Sequence, residues 1–224
     1  MEIDAPLRRN LRVFREMKYL CIQIENMVSP YCETKVMHPL ILFASGRGSN
    51  VQAVIDYFSA SQKAYVALIV CNNPEAEVLT IAASHNIPVQ IIDRKSFKED
   101  AFIETLKQYK PALLVLAGFL WKVPESVVAA FPGNIINIHP ALLPKYGGKG
   151  MYGANVHNAV IAAGEKESGI TIHFVNEHYD EGATIIQAHC RLLPEDTALH
   201  LAEKIQQLEH YFFPRTIEFL LEQL

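Results

Sequence analysis

From Pro39 onward, short continuous apolar runs alternate with segments in which apolar residues recur every three or four positions. The runs occupy residues 40–44, 64–71, 89–93, 112–117 and 134–139, and they read as strands. Residues 51–61, 75–85, 96–109 and 124–131 lie between them and read as helices. In the first of these, Val51, Val54, Ile55 and Phe58 fall on one side. Ser96 stands where an N-cap is expected for the third. Strands alternating with helices imply right-handed crossovers and a parallel sheet. Runs without polar interruption imply strands covered on both faces. Residues 39–139 are therefore predicted to form a doubly wound, Rossmann-like half of an α/β fold.

After Pro140 the pattern changes. Residues 145–153 are glycine-rich and read as a mobile loop, followed by a helix over 154–163. Gly169-Ile-Thr-Ile-His-Phe-Val175 alternates strictly, which predicts a half-buried strand. A turn over 177–182 leads to a second strand at 184–193, so an antiparallel addition to the parallel sheet is expected. A long C-terminal helix should follow over 195–224, with Leu201, Ile205, Leu208 and Phe212 as its apolar stripe. Pro214 is expected to kink or split it.

Residues 1–36 lack this regularity. Their apolar pieces are too short for a signal peptide and their acidic residues argue against a transit peptide, so they read as a mobile extension. Residues 37–224 show no internal repeat or linker and read as one domain. At 224 residues, half of them hydrophobic, the chain is long enough to bury one substantial core. A net charge of −4 gives no reason to expect nucleic acid as a partner. No apolar run reaches the roughly 18 residues of a membrane span. Cys21, Cys32, Cys71 and Cys190 form no CxxC pair and read as reduced thiols in a cytoplasmic protein.

Three stretches can carry chemistry. Gly46-Arg-Gly-Ser-Asn50 joins the first strand to the first helix. Glycines let backbone N–H groups approach an anion, and the helix dipole favours one there. The turn lacks the lysine of a P-loop, so it suits a monophosphate, with Ser49 and Asn50 helping to cap the helix and donating to the phosphate. Asn137 and His139 are two apart at a strand end that Pro140 terminates, which puts both side chains on one face. In open α/β sheets ligands bind beyond the carboxyl ends of the strands, where both stretches lie. Tyr179-Asp-Glu-Gly182 is a turn on its own evidence. Should the antiparallel addition bring Asp180 to His139, the carboxylate would orient the imidazole and raise its pKa. The histidines His139, His157, His173, His178 and His189 match no zinc spacing, and no GxSxG nucleophile is present.

Gly46-Arg-Gly-Ser-Asn50, Leu116-Ala-Gly-Phe119, Asn137-Ile-His-Pro-Ala-Leu-Leu-Pro144 and Asp180-Glu-Gly182 together resemble the folate-dependent formyltransferases, and within them the phosphoribosylglycinamide formyltransferases. The resemblance covers roughly residues 37–221. It implies transfer of a formyl group from 10-formyltetrahydrofolate to the amine of glycinamide ribonucleotide, a step of purine synthesis, directly and without metal. It implies that Gly48, Ser49 and Asn50 hold the substrate phosphate, with Gln206 and Glu209 on the substrate and Glu209 at its ribose. Asn137 and His139 would stabilise the tetrahedral oxyanion, His139 would shuttle a proton, and Asp180 would raise its pKa. Backbone groups of Leu120, Trp121, Lys122 and Val123, and of Asn176, Glu177, His178, Tyr179 and Asp180, would cradle the pterin. The same resemblance admits 10-formyltetrahydrofolate hydrolase or another formyltransferase of the superfamily as the alternative activity, small molecules as the partners, and a monomer or homodimer. An arginine expected near Ser96-Phe-Lys-Glu99 has only Lys98 in its place.

Overall fold

The structure is a computed structural model, and it describes residues 37–224. The mobile extension expected for residues 1–36, including Cys21 and Cys32, lies outside the described residues. Seven strands form one sheet among the described residues: β1 (His38–Ala44), β2 (Ala64–Cys71), β3 (Val89–Ile91), β4 (Leu113–Leu116), β5 (Ile135–His139), β6 (Glu167–Phe174) and β7 (Thr184–Arg191). Six α-helices accompany them: α1 (Ser49–Ser61), α2 (Val78–Ser84), α3 (Asp100–Gln108), α4 (Glu125–Ala130), α5 (Ala154–Ala162) and α6 (Ala198–Leu221).

The strand order is β3-β2-β1-β4-β5-β6-β7. The first five strands are parallel. β6 runs antiparallel to β5, and β7 antiparallel to β6, as the change of pattern after Pro140 implies. The chain reverses its direction of winding between β1 and β4, so a crevice opens beyond their carboxyl ends.

The apolar runs of β1, β2, β4 and β5 are continuous because each of these strands feeds two cores, whereas the edge strand β3 leaves Val89 and Ile91 exposed. In β1, Leu40, Leu42 and Ala44 pack under α1, α2, α5 and α6, through residues such as Val54, Val160 and Phe213. Ile41 and Phe43 face the other way, onto Phe102, Leu106 and Val127 of α3 and α4. Burying both faces is the main stabilising contribution, at about 25 cal/mol per Å² of apolar surface.

Three expectations need correction. Ser96 does not cap a helix. Residues 96–98 form a 3₁₀ turn, and the Ser96 hydroxyl bonds Asp93, whose carboxylate also accepts the N–H groups of Lys95 and Ser96. The helix starts afresh at Asp100 after the extended Glu99. Pro214 does not split the last helix either: α6 runs unbroken for 24 residues. Pro214 withholds the donor from the His210 carbonyl, while the next two carbonyls gain side-chain donors, Arg215 to Tyr211 at 2.7 Å and Thr216 to Phe212 at 2.9 Å. Phe213 and Ile217 then hold the helix on the core.

The third correction concerns β6. Its alternation is real, since Ile170 and Ile172 enter the core. The polar face is not solvated, however: Thr171 is 0% and His173 2% exposed. Buried polar residues on a strand face need partners, and those partners belong to the site. Among the described residues no helix is long and apolar enough to cross a membrane.

Candidate active site

The crevice at the switch point is a cavity of about 970 Å³, large enough for two small molecules. The glycine turn after β1 forms one end. Gly48 has φ +79°, and a Cβ there would meet Val78 at 2.7 Å, so close packing of α2 requires glycine. The expected capping role is not seen. Gly48 itself is the N-cap of α1, without a side-chain bond. The N–H groups of Ser49 and Asn50 lie in the first turn, where a helix offers no internal acceptor. The Asn50 side chain donates to Glu209 at 3.0 Å, and its Oδ1 has no partner among the described residues. Ser45 ties this turn to the one after β4: its hydroxyl accepts the Leu120 N–H at 2.9 Å.

Glu209 lies on α6 in the row Leu201, Ile205, Glu209, Phe213, Ile217 and Leu221, every other member of which is buried and apolar. Burial pushes its carboxyl up to about 7, against the opposing hydrogen bond from Asn50. A carboxylate kept on an apolar ridge is costly unless it serves a ligand. Gln206 lines the cavity one turn earlier.

β5 supplies Asn137 and His139, and β6 sets His173 directly opposite Asn137. Asn137 Nδ2 lies 3.1 Å from His173 Nε2 and 3.5 Å from Asp180 Oδ1. The Nδ1 of His173 lies 2.8 Å from the Phe174 carbonyl, so it is the protonated nitrogen, and Nε2 accepts from Asn137. His139 is 3% exposed. Its Nε2 donates to the Tyr146 carbonyl at 2.8 Å, and its Nδ1 faces Asp180 Oδ2 at 3.6 Å.

The turn between β6 and β7 does bring Asp180 to His139. Gly182 closes this turn against β6, where a Cβ would overlap the Phe174 carbonyl oxygen at 1.7 Å. Asp180 sits at φ +56°, where it accepts the Gly148 N–H at 2.8 Å, with His173 Nε2 3.7 Å from its Oδ1. Burial pushes the Asp180 carboxyl up, but His173, His139 and Gly148 together hold it below the usual carboxylate value. The His139 pKa is pulled upward by Asp180 as expected, yet its net shift is downward. Burial depresses its pKa, and the upward pulls of Asp180 and the Tyr146 carbonyl only partly offset this.

The segment from Pro140 to Pro144 is fastened by Thr171. Its hydroxyl donates to the Ala141 carbonyl at 2.7 Å and accepts the Leu143 N–H at 3.0 Å, while Gln187 donates to it at 3.0 Å.

The other wall is aromatic. Trp121 and Phe119 meet at 6.3 Å with their rings inclined, and Arg94 lies 4.2 Å over the indole. Leu120, Trp121, Lys122, Val123, Asn176, His178, Tyr179 and Asp180 all line the cavity. Glu177 does not: it sits exposed on the turn beside His178, 3.8 Å away. Sequence reasoning missed His173 and Arg94 as site residues. A histidine on the polar face of an alternating strand was a usable signal for the first. The basic residue nearest the end of β3 was one for the second, and it is Arg94 rather than Lys98.

Comparison with known proteins agrees with this arrangement. The formyl transferase family model matches residues 39–217. A chloroplastic phosphoribosylglycinamide formyltransferase of Arabidopsis thaliana is 37% identical over 191 residues, 82% of this chain. The chain spans less than two thirds of that relative's length, 65%. The phosphoribosylglycinamide formyltransferase of Bacillus subtilis is 35% identical, covering 83% of this chain and 95% of the relative. Among solved structures, the phosphoribosylglycinamide formyltransferase of Anaplasma phagocytophilum superposes with a TM-score of 0.76 at 34% identity, over 84% of this chain and 89% of that one. Matched over most of its length, the chain belongs to the formyl transferase family.

Proposed function

We propose that residues 37–224 act as a single formyltransferase domain that transfers a formyl group to the amine of N1-(5-phospho-D-ribosyl)glycinamide, with 10-formyltetrahydrofolate as donor. The observation that carries this reading is the convergence of Asn137, His139 and Asp180 in one cavity with the glycine turn. The Gly48–Asn50 backbone, aided by the α1 dipole, suits the substrate phosphate, and Glu209 with Gln206 suits its ribose. Phe119, Trp121 and the backbone of residues 120–123 and 176–180 suit a flat, polar-edged pterin; Glu177 contributes no side chain there. The folate supplies a one-carbon unit at the formyl oxidation level.

The chain's residues do the rest. Binding both reactants in one cavity makes the attack effectively unimolecular. Asn137 is the donor for the developing oxyanion: its contact with Asp180, at 3.5 Å, is long enough to exchange, while His173 keeps the other N–H in place. His139, neutral near pH 7, takes the proton of the attacking amine and returns it to the leaving nitrogen. Asp180 stabilises the imidazolium formed in between. The partners are then small molecules, and a cytoplasmic location is supported by the unpaired thiols of Cys71 and Cys190.

The test is an assay of the purified chain with the folate, with and without glycinamide ribonucleotide. Formylated product is expected without added metal. Folate hydrolysis at an equal rate in both arms would replace the transferase by a hydrolase. His139→Ala should lower turnover by about 10²–10⁴-fold with folding intact. Asp180→Asn should do likewise and move the acid limb of kcat/KM to lower pH, because it removes an upward pull on His139. Wild-type turnover in both variants rejects the mechanism.

A further inference from the structure

Among the ionisable groups of the cavity that have no part in this scheme, one is buried. His157, in the first turns of α5, lines the cavity and is nine-tenths buried. Its Nδ1 is buried without a hydrogen-bond partner among the described residues. A buried, unpaired imidazole is rare in a packed protein, and its position is informative.

The cavity straddles the carboxyl edge of the sheet, and its two halves differ. Trp121, Phe119 and Val123 belong to the core layer of α3 and α4. Asn50, Glu209 and His157 project from α1, α6 and α5, the helices over the opposite layer. His157 thus belongs to the half that suits the ribosyl phosphate, near enough to His139 for the two rings to feel each other's charge. Between a phosphate and ribose held at Gly48–Asn50 and Glu209 and an amine held at His139 lies the glycyl amide of the substrate.

We propose that His157 is a substrate-contacting residue: its Nε2–H donates to the glycyl carbonyl oxygen of glycinamide ribonucleotide and aims the amine at the formyl carbon. The tautomer follows from the surroundings. A buried N–H without an acceptor is less tolerable than an acceptor left empty, so the proton sits on Nε2 rather than on the buried Nδ1. Burial and the nearby His139 both depress the His157 pKa, which keeps the ring neutral and the tautomer fixed. A neutral donor suits a carbonyl oxygen and leaves the amine unprotonated for attack.

This inference rests on the proposed function, and the experiment separates the two. Binding of glycinamide ribonucleotide is measured by titration calorimetry, alongside steady-state KM for each reactant. His157→Leu keeps the ring's apolar packing and removes the donor. It is expected to weaken amine-substrate binding roughly tenfold, the worth of one neutral hydrogen bond, with the folate KM unchanged. His157→Gln, whose amide can reach a similar position, should restore most of the affinity, which a merely structural role would not. Wild-type affinity in both variants overturns the inference and leaves the function standing. An equal rise in both KM values also overturns it. A wild-type chain that neither binds nor formylates glycinamide ribonucleotide overturns both.

Discussion

A single residue shows how the molecule trades stability for a site. Glu209 occupies a position on the i, i+4 ridge of α6 that packing would give to leucine. Its carboxyl titrates near 7 in the fold against 4.5 for the free side chain, because burial disfavours the charge. The sign follows from linkage. Below about pH 4.5 the group is neutral in both states and costs nothing. As pH rises through 7 the folded state must carry a buried charge, and stability on the order of 3 kcal/mol is lost. Glu209→Gln should therefore be more stable than the wild type at pH 8, by about 1–3 kcal/mol in urea unfolding, with the gap closing toward pH 5. The same variant should bind glycinamide ribonucleotide more weakly. A constant gap across pH would show that the carboxyl is already hydrated. Glu209 was legible in the sequence through family resemblance. The physical signal, a glutamate in register with Leu201, Ile205, Phe213 and Ile217, was also available, but choosing Leu208 and Phe212 for the stripe hid it. Helical faces drift with a period of 3.6, so two nearby rows compete.

At the scale of elements, β6 is the strand that turns a nucleotide-type sheet into a reaction centre. Its core face is ordinary, while its other face carries Thr171 and His173 against β5. Thr171 fastens the segment between His139 and Tyr146, whose carbonyl accepts from the His139 ring. Thr171→Val keeps shape and removes the hydroxyl, leaving the Leu143 N–H and the Ala141 carbonyl without that partner. Destabilisation of about 2 kcal/mol is expected by urea unfolding. Turnover should fall with it, since the Tyr146 carbonyl then drifts from His139. Unchanged turnover in the folded variant would show that the segment holds its place without the clamp. The order of strands and helices was readable because burial on two faces leaves no ambiguity in an apolar run. The solvent exposure of β6 was misread for a physical reason: alternation reports that one face is polar, not that it is wet. Propensity rules failed where nearby side chains took over backbone groups, with Asp93 claiming Ser96 and with Arg215 and Thr216 bonding the carbonyls one turn back around Pro214.

For the molecule as a whole, the two layers of helices divide the labour of binding. Because the sheet separates them, under the proposed function each reactant would meet side chains rooted in a different core, and the reacting atoms would meet at the strand ends between Asn137 and His139. The convergence of Asp180 on that point depended on where a turn after β6 would land, and spacing alone does not encode that. This division predicts crossed kinetic effects. Trp121 presents a half-buried indole with Arg94 across its face. Trp121→Ala removes an aromatic surface worth about 1 kcal/mol beyond its area, so the folate KM should rise about tenfold or more while the KM for glycinamide ribonucleotide stays within twofold. Asn50→Ala, on the other layer, should do the reverse, since it releases Glu209 and disturbs the first turn of α1. The double variant should show both changes multiplied without further loss, because sites with no shared partners contribute additively. Steady-state kinetics with each reactant varied in turn would measure this. A single variant that raised both KM values equally would mean that the reactants share one wall of the cavity, and the two-layer account would have to be given up.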